Sequence, residues 1–509
     1  MNLLIDNWIP VSSNGEAQRI SLKELLCDKE NNDWYIAALR DDMDLAALQL
    51  IVSLVQVVLM PKDAKALKKC LSEPMIETDY DQAIQSLIDW FDLLHPQMPF
   101  MQTASVIPEK GNKNWASLQK LFVGLPEKTS TSASSNGFFN TPDEIHSVHL
   151  GDAAIALFQQ ATNGFSLGGA AFSVGLKGSM PLTTLVLGEN LRKTIWANVL
   201  SKAFLMEKAP ELLNAEIQKP TWVIAPHTSK QENALHIGLL RGLFWQPAKI
   251  KLEVKNGLAT GFFKNTGMCS VPGFWQHPHT PIDMLRLHTG NAKEKPFLSA
   301  RNDLPLWGQM LSFFYLHKQL NLVDAQQEGT SCALVVQQYQ DDSTWRGRDI
   351  KLAIGGYVKG GSAESLAGRK HETYSLSTDW ENKSADMLHL INIGLDVYKK
   401  LNAAMNKFAF IAIDKGTLKA KESGFKKAIK GKAKQAYFDN SESLMHSILR
   451  KLVWDDIASY QKQFADLART IFEQIMAPYE HEPKMLQAII ESRAMLNNML
   501  NKMGVVINE

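Results

Sequence analysis

The sequence has too few cysteines for a disulfide or zinc framework. Its 509 residues include four cysteines, widely spaced and without a CxxC pair, at positions 27, 70, 269 and 332. Disulfide scaffolds and structural zinc sites both need closely spaced cysteines. The chain begins MNLLID, without the basic stretch and apolar run of a secretory signal. We therefore expect a protein of the reducing cytoplasm that has no metal site.

The chain also lacks a strong net charge and a long apolar run. It contains 54 Lys and Arg and 53 Asp and Glu residues, for a formal net charge of +1, so a site for a polyanion must be local. The most apolar window, Leu45 to Met60, is shorter than the ~20 residues of a membrane span and includes polar side chains. We expect a buried helix there and no membrane partner. Three aspartates suit its positive N-terminal end, namely Asp41, Asp42 and Asp44.

Common catalytic and ion-binding motifs are absent. The sequence has no Walker A motif, no HExxH and no EF-hand loop. Gly164 to Gly168 reads GFSLG and matches the GxSxG pattern of hydrolases, but that serine should follow a strand. Here a helix-like run, Asp152 to Ala161, comes before it, so a serine hydrolase at Ser166 is a disfavoured alternative. We interpret His277 and His279 as structural, because two imidazoles without a third ligand make a weak metal site.

The chain changes character along its length, from mixed patterns to purely helical ones. Before about residue 375, helical spacing over Tyr80–Leu94 alternates with strand candidates at Ile250–Val254 and Ala333–Gln338. After Lys383, helical periodicity covers four stretches, Met387–Ile413, Gly424–Trp454, Ile457–Met476 and Pro483–Met503. The prediction is an α+β fold, with a large mixed N-terminal domain over 1–375 and a C-terminal antiparallel four-helix bundle over 380–509.

Three segments have compositions typical of binding. The polar run Glu127–Gly137 predicts a loop. The aromatic rings of Phe138 and Phe139, which follow it, either anchor the loop to the core or contact a partner. The glycines between Gly164 and Gly169 let the backbone approach a partner closely. The stretch between residues 415 and 434 contains eight lysines and a single acidic residue, Glu422. Such a cluster either forms a solvated helical face or neutralises phosphates.

Several short sequence motifs, spread along the whole chain, occur together and in this order in one protein family. They are MNLLIDNWIP at 1–10, RDD at 40–42, PFMQ at 99–102, AIALF at 154–158, PTW at 220–222, RGLFWQPA at 241–248, Trp275 with HPH at 277–279, GGY at 355–357 and APY at 477–479. The chain thereby resembles the large subunit, CasA, of the type I-E CRISPR surveillance complex Cascade.

The resemblance implies a non-catalytic subunit without cofactors. It would recognise the protospacer-adjacent motif of double-stranded DNA, start strand opening for R-loop formation, stabilise the displaced strand and help recruit the helicase-nuclease. Its partners would be the CRISPR RNA, the target DNA and the backbone, small and guide-processing subunits of Cascade. By analogy with other RNA-guided complexes, guide pairing reads the target and protein reads a short flanking motif. The alternative is a scaffold that joins the complex without contacting DNA.

The resemblance also implies residue roles. The family's loop for the guide RNA handle and neighbouring subunits corresponds to Phe138, Phe139 and Asn140. The family's glycine loop, whose bare backbone fits against the motif in the minor groove, corresponds to Gly164, Ser166, Leu167, Gly168 and Gly169. The displaced strand would lie on lysines of the bundle, which are Lys426, Lys427, Lys430, Lys432 and Lys434.

Two correspondences depart from the family pattern. The lysine finger falls on Thr266, and Lys264 lies two residues away, a shift that keeps the strand face but moves the tip by ~7 Å. The glutamine wedge falls on a segment without glutamine, which is Gly360, Gly361, Ser362 and Ala363. Either a backbone hairpin tip then acts as the wedge or this chain opens DNA differently, so the family's motif preference does not carry over.

Overall fold

The computed structural model describes residues 1–30, 33–125, 144–165, 175–226, 232–265, 271–289, 295–315, 317–320, 327–341, 348–360, 366–378, 380–414, 423–451 and 456–503. The chain forms two compact units. The first contains residues 1–302, 312–346 and 351–373, and the second contains residues 303–311, 347–350 and 374–509. The division into a domain for motif recognition and complex docking over 1–375 and a four-helix bundle over 380–509 stays a prediction.

Short helices and strands alternate up to residue 376. The helices are α1 Leu22–Cys27, α2 Asp41–Val58, α3 Ala64–Ser72, α4 Glu77–Ile84, α5 Leu150–Asn163, α6 Leu191–Ala197, α7 Lys202–Lys208, α8 Glu211–Asn214, α9 Leu239–Leu243, α10 Met284–Thr289, α11 Leu311–Phe314 and α12 Leu334–Asp341. The strands are β1 Ile9–Ser13, β2 Glu16–Ile20, β3 Tyr35–Ile36, β4 Trp115–Ser117, β5 Val148–His149, β6 Thr183–Val186, β7 Lys249–Lys255, β8 Leu258–Asn265, β9 Ile282–Asp283, β10 His317–Leu320, β11 Gln327–Ser331, β12 Ile350–Lys359 and β13 Leu366–Leu376.

The strands form small sheets. Their orders are β2-β1-β3, β10-β11-β9, β13-β12-β6 and β4-β8-β5, and β7 also pairs with β8. In the third sheet β12 runs antiparallel to β6, with Gly355 opposite Thr183. In the fourth, β7 and β8 are antiparallel with Ile250 opposite Lys264, which confirms the predicted strand at Ile250–Val254.

Two buried helices, α2 and α5, pack against each other in the first unit. The apolar window produces α2, whose first turn carries Asp41, Asp42 and Asp44 as expected. Every residue of α5 is buried, so this helix is enclosed on all sides. It ends at Asn163, directly before the glycine segment, and therefore fixes where that segment begins.

The helix expected over Tyr80–Leu94 is wrong in its extent. Helix α4 ends at Ile84, and the chain continues as a short 3₁₀ helix over Ile88–Phe91. Residues of the N-terminus bond to backbone carbonyls of the 3₁₀ helix. Asn2 Nδ2 donates to Ile88 O at 2.7 Å, and the Leu3 amide donates to Phe91 O at 2.9 Å. Long-range bonds thus replace the bonds that would continue the helix.

The strand expected at Ala333–Gln338 is also wrong, because this segment forms α12. A short apolar run does not distinguish a strand from a buried helix. Tertiary contacts favour the helix here: Gln338 is buried, its Oε1 accepts from the Ser201 amide at 2.8 Å, and its Nε2 donates to Val199 O at 3.0 Å.

The second unit is helical, as the periodicity predicted. Its helices are α13 Ser384–Asp414, α14 Ser423–Lys451, α15 Ile457–Met476 and α16 Pro483–Asn501. Helix α13 packs against each of the other three. The buried indole of Trp307 packs near Gly394 and Phe464 and donates to Ser441 Oγ at 3.2 Å. The α+β class with a C-terminal helical bundle is therefore confirmed. Among the helices of the described ranges, none has the length and apolarity that crossing a membrane requires.

Gly394→Ala should destabilise the second unit. A Cβ at this position would lie 2.7 Å from Trp307 Cη2, and overpacking of this kind costs ~1–3 kcal/mol. The matched control is Gly431→Ala on α14, where nothing lies within 4 Å of the added Cβ. The control should stabilise the helix by up to ~1 kcal/mol, because alanine is the better helix former. Thermal unfolding measures both, and equal midpoints for the two variants would contradict this packing.

Candidate nucleic-acid interface

A small apolar cluster lies at the centre of the candidate site. Val123, Met180 and Tyr357 are buried against one another, and Phe165 and Leu366 pack on them. Their positions in the sequence are far apart, so the cluster joins segments that only the tertiary fold brings together.

Each member of the cluster lies near a segment that the sequence singled out. Val123 precedes the polar run, Phe165 lies at the start of the glycine segment and Met180 lies after it, and Tyr357 and Leu366 lie on either side of the proposed wedge. Gly124 has a positive φ of 85°, and a Cβ there would lie 2.6 Å from Leu366 Cδ2. The ends of three candidate binding segments therefore meet at one place.

Residues 295–300 extend this meeting point. Lys295 Nζ donates to Val271 O and Gly273 O, each at 2.7 Å. Its Cβ lies 3.3 Å from the place a Cβ would take on Gly178, which comes shortly after the glycine segment. Ala300 forms a bridge with Val358 on β12. Lys295 thereby connects Val271 and Gly273 to Gly178.

The predicted site residues divide into two sets. Gly164, Lys264, Gly360 and the five bundle lysines lie in the described part of the chain. Outside the described residues lie Phe138, Phe139, Asn140, Ser166, Leu167, Gly168, Gly169, Thr266, Gly361, Ser362 and Ala363.

Gly164 and Lys264 occupy different surroundings. The Gly164 amide donates to Gln159 O at 3.0 Å and its carbonyl accepts from the Met180 amide at 3.2 Å, which links it to the cluster. Lys264 belongs to β8, and its amide donates to Asn114 O at 2.9 Å. The structure thus brings Gly164 to the cluster and places Lys264 in the sheet of β4, β5 and β7.

Sequence reasoning missed a polar centre beside the cluster, formed around the carboxylate of Asp42. Oδ1 accepts from Arg40 Nε at 2.9 Å and from Arg369 Nη1 at 3.1 Å. Oδ2 accepts from Arg40 Nη2 and Tyr357 OH, both at 2.6 Å, and from Gln159 Nε2 at 3.2 Å. Sequence analysis treated Asp42 as a residue of a helix start and of a family word. Neither signal reported these distant partners.

The Tyr357 hydroxyl is a donor in this centre. It donates to Asp42 Oδ2 and accepts from Gln159 Nε2 at 2.5 Å. Burial, reinforced by the Asp42 charge, raises the pKa of Tyr357 well above its ordinary value. The hydroxyl therefore keeps its proton at neutral pH and can satisfy the buried carboxylate.

A second buried polar network joins the two sides of the glycine segment. Lys177 Nζ donates to Asn163 Oδ1 at 2.9 Å, and Asn163 Nδ2 donates to Gln49 Oε1 at 2.9 Å. Gln49 Nε2 lies 3.4 Å from Nδ1 of His279, which is fully buried. Lys177 is 4% exposed, and burial lowers the pKa of its amine well below the ordinary value. This setting supports the structural interpretation of His279.

Acidification should destabilise the first unit through His279. Burial, assisted by Lys177, lowers the pKa of His279 from 6.5 to about 3. Between these two values the unfolded state binds the proton and the folded state does not, so stability falls as pH falls. One such histidine lowers the free energy of unfolding by ~2 kcal/mol between pH 7 and pH 5.

His279→Asn, which keeps an acceptor near Gln49, should reduce the pH dependence of urea unfolding between pH 7 and pH 5. The control is His389→Gln, which changes an exposed histidine of α13. An unchanged pH slope in the His279 variant would rule out this linkage.

The bundle lysines are distributed unevenly around α14. Lys426, Lys430 and Lys434 recur every four residues and form one stripe, with Lys427 beside it, whereas Lys432 lies about 200° around the helix from Lys430. Lys434 Nζ lies 5.7 Å from the centre of the Phe438 ring. Within the described ranges Lys426, Lys427, Lys430 and Lys432 make no ion pair. Four of the five lysines therefore form one basic face, called the α14 lysine face below.

The chain is similar to known proteins in both sequence and structure. The sequence model of the family described as CRISPR-associated protein Cse1 matches residues 2–473. The crystal structure of CasA from Thermus thermophilus is similar at a TM-score of 0.72 and 14% identity, with 99% of each chain covered. Cse1 from Thermobifida fusca is similar at 0.71 and 15%, with 98% of each chain covered. A chain of a CRISPR RNA-guided surveillance complex is similar at 0.65 and 14%, covering 97% of this chain and 99% of that one.

The family match over most of the chain and the shared fold define a CRISPR-associated protein. The chain belongs to the Cse1 family, also named CasA, which confirms the family indicated by the sequence words.

Proposed function

We propose that this chain is the motif-sensing and DNA-opening subunit of an RNA-guided CRISPR surveillance complex, and that it is not an enzyme. Family membership and the likeness to a surveillance-complex chain support this. Its partners would be the CRISPR RNA, the other Cascade subunits, double-stranded target DNA and the helicase-nuclease, all in the cytoplasm.

The observation that carries the proposal is the convergence of segment ends on the apolar cluster. A short duplex motif can be read and opened in one step only if the reading and opening elements lie close together. Phe165, Met180, Tyr357 and Leu366 bring the ends of the glycine segment and of the wedge hairpin into contact. This arrangement favours motif sensing over a scaffold role, which needs no such convergence.

In this proposal each segment has a distinct task. The bare backbone of the glycine segment would lie in the minor groove, because side chains would not fit so close to a base pair. Lys264 or Thr266 would lie beside it. The tip at Gly360–Ala363 would separate the first target pair. Phe138, Phe139 and Asn140 would hold the guide RNA handle, and the α14 lysine face would hold the displaced strand.

The hydrolase alternative loses support from the fold. The serine of a nucleophile elbow follows a strand, whereas the helix α5 leads to Ser166 in this chain.

The direct test is gel-shift binding of guide-loaded complex, with and without this chain, to matched targets with a randomised flanking motif at two salt concentrations. We expect the chain to create motif-dependent binding. Gly168→Val should abolish it, because a branched side chain would keep the backbone away from the groove, and Ser166→Ala should preserve it. Motif-independent binding in both forms of the complex would support the scaffold role instead.

The α14 lysine face should contribute sequence-independent affinity for the displaced strand. The variant carries glutamine at Lys426, Lys430 and Lys434, and the matched control carries glutamine at the exposed Lys432, Lys462 and Lys502. Because each single-strand phosphate contact contributes ~0.7 to the salt slope, the variant should lower that slope by about 2 on pre-opened targets. The control should leave the slope unchanged. Equal effects of the two triple variants would exclude a specific lysine face.

A further inference from the structure

One buried carboxylate is bonded to both strands of the wedge hairpin. Asp42 accepts from Tyr357 on β12 and from Arg369 on β13. These residues lie three positions outside Gly360 and Leu366, which are the described ends on each side of the hairpin tip. The carboxylate therefore holds the two strands close to the point where the tip begins.

The same carboxylate is bonded to the helix that leads into the glycine segment. Gln159 Nε2 donates to Asp42 O at 3.1 Å, to Asp42 Oδ2 at 3.2 Å and to the Tyr357 hydroxyl. Gln159 is one helical turn before Asn163, and its carbonyl accepts from the Gly164 amide. Asp42 thus connects the start of the glycine segment to the hairpin by short bonds.

A third connection reaches the chain before the polar run. Arg40 donates to Asp42 through Nε and Nη2, and Nη2 also donates to Val123 O at 2.9 Å. The Asp42 side chain is 7% exposed and that of Arg40 is 21% exposed, so these bonds are partly shielded from water. A buried carboxylate with several satisfied bonds has little freedom to move, because losing a partner leaves charge uncompensated. The three connections therefore form one rigid centre.

We propose that Asp42 is a positioning residue that couples motif reading by the glycine segment to strand opening by the β12–β13 hairpin. This inference rests on the proposed function. It gives the sequence motif Arg40-Asp41-Asp42 a second role, in addition to beginning helix α2. Asp42 contacts no DNA in this account and acts through Gln159, Tyr357 and Arg369.

The test weakens the connection from the hairpin side. Arg369→Gln removes one charge, the bond to Asp42 and the ion pair with Asp41 at 2.7 Å, and Tyr357→Phe removes one hydroxyl. The matched control, Lys351→Gln, removes one charge from an exposed position on β12 that is not bonded to Asp42. Each variant is assembled into guide-loaded complex with 2-aminopurine at the first target pair. The readout is the opening rate on motif-bearing divided by that on motif-free targets.

Arg369→Gln and Tyr357→Phe should each lower this ratio about tenfold, in line with the coupling between residues of one network. Complex assembly and binding to pre-opened target should not change, and Lys351→Gln should behave as the unaltered chain. Combining the two changes should produce less than the product of their separate effects, because both act through Asp42.

Two outcomes would overturn the inference while the proposed function stands. One is an unchanged ratio in both variants when the unaltered complex shows strong motif dependence. The other is a loss of assembly that accounts for the whole loss of opening. If the unaltered complex opens both targets equally, the proposed function itself fails. Asp42→Asn tests the centre directly. Thermal unfolding of this variant is measured as well, because losing the carboxylate charge also leaves Arg40 without its ion-pair partner.

Discussion

The hydrogen bonding of the Asp42 carboxylate is the interaction on which the candidate site depends. A carboxylate whose side chain is only 7% exposed is tolerated only when donors surround it. Here the donors come from four places in the sequence, Arg40, Gln159, Tyr357 and Arg369. Satisfying the charge therefore requires that α2, α5 and both strands of the β12–β13 hairpin meet at one point. The adjacent apolar cluster of Val123, Met180 and Tyr357 is buried at the same junction.

This junction fixes the described ends of the candidate binding segments relative to one another. The glycine segment begins at the end of a fully buried helix, and Lys177 and Asn163 join its two sides through the second polar network. The elements that would contact DNA can then be poor in side chains, since their positions are set by buried residues behind them. In the proposed function the α14 lysine face would add affinity for the displaced strand, which depends on charge and not on geometry.

Local signals predicted most of the helical unit from the sequence. Helix α15 begins and ends where periodicity placed it, over Ile457–Met476, and Pro483 begins α16 as expected. Helix α13 starts at Ser384, three residues before its apolar pattern does. The site was less predictable, because the bonds of Gln159, Tyr357 and Arg369 to Asp42 join residues more than 100 positions apart. The same reason accounts for α4 and α12, where distant bonds decided the local structure. For Asp42 the only sequence signals were a helix start and a family word.

In the proposed function, the end of the β12–β13 hairpin lies against the first target base pair. The most direct measurement is site-specific photo-crosslinking with benzoylphenylalanine at Lys359, which is exposed and adjacent to Gly360, and at Lys351, exposed near the other end of β12. The account predicts crosslinks from position 359 to nucleotides at the junction of motif and target, with none from position 351. Crosslinks of equal yield from both positions, or from position 359 to DNA far from that junction, would contradict it.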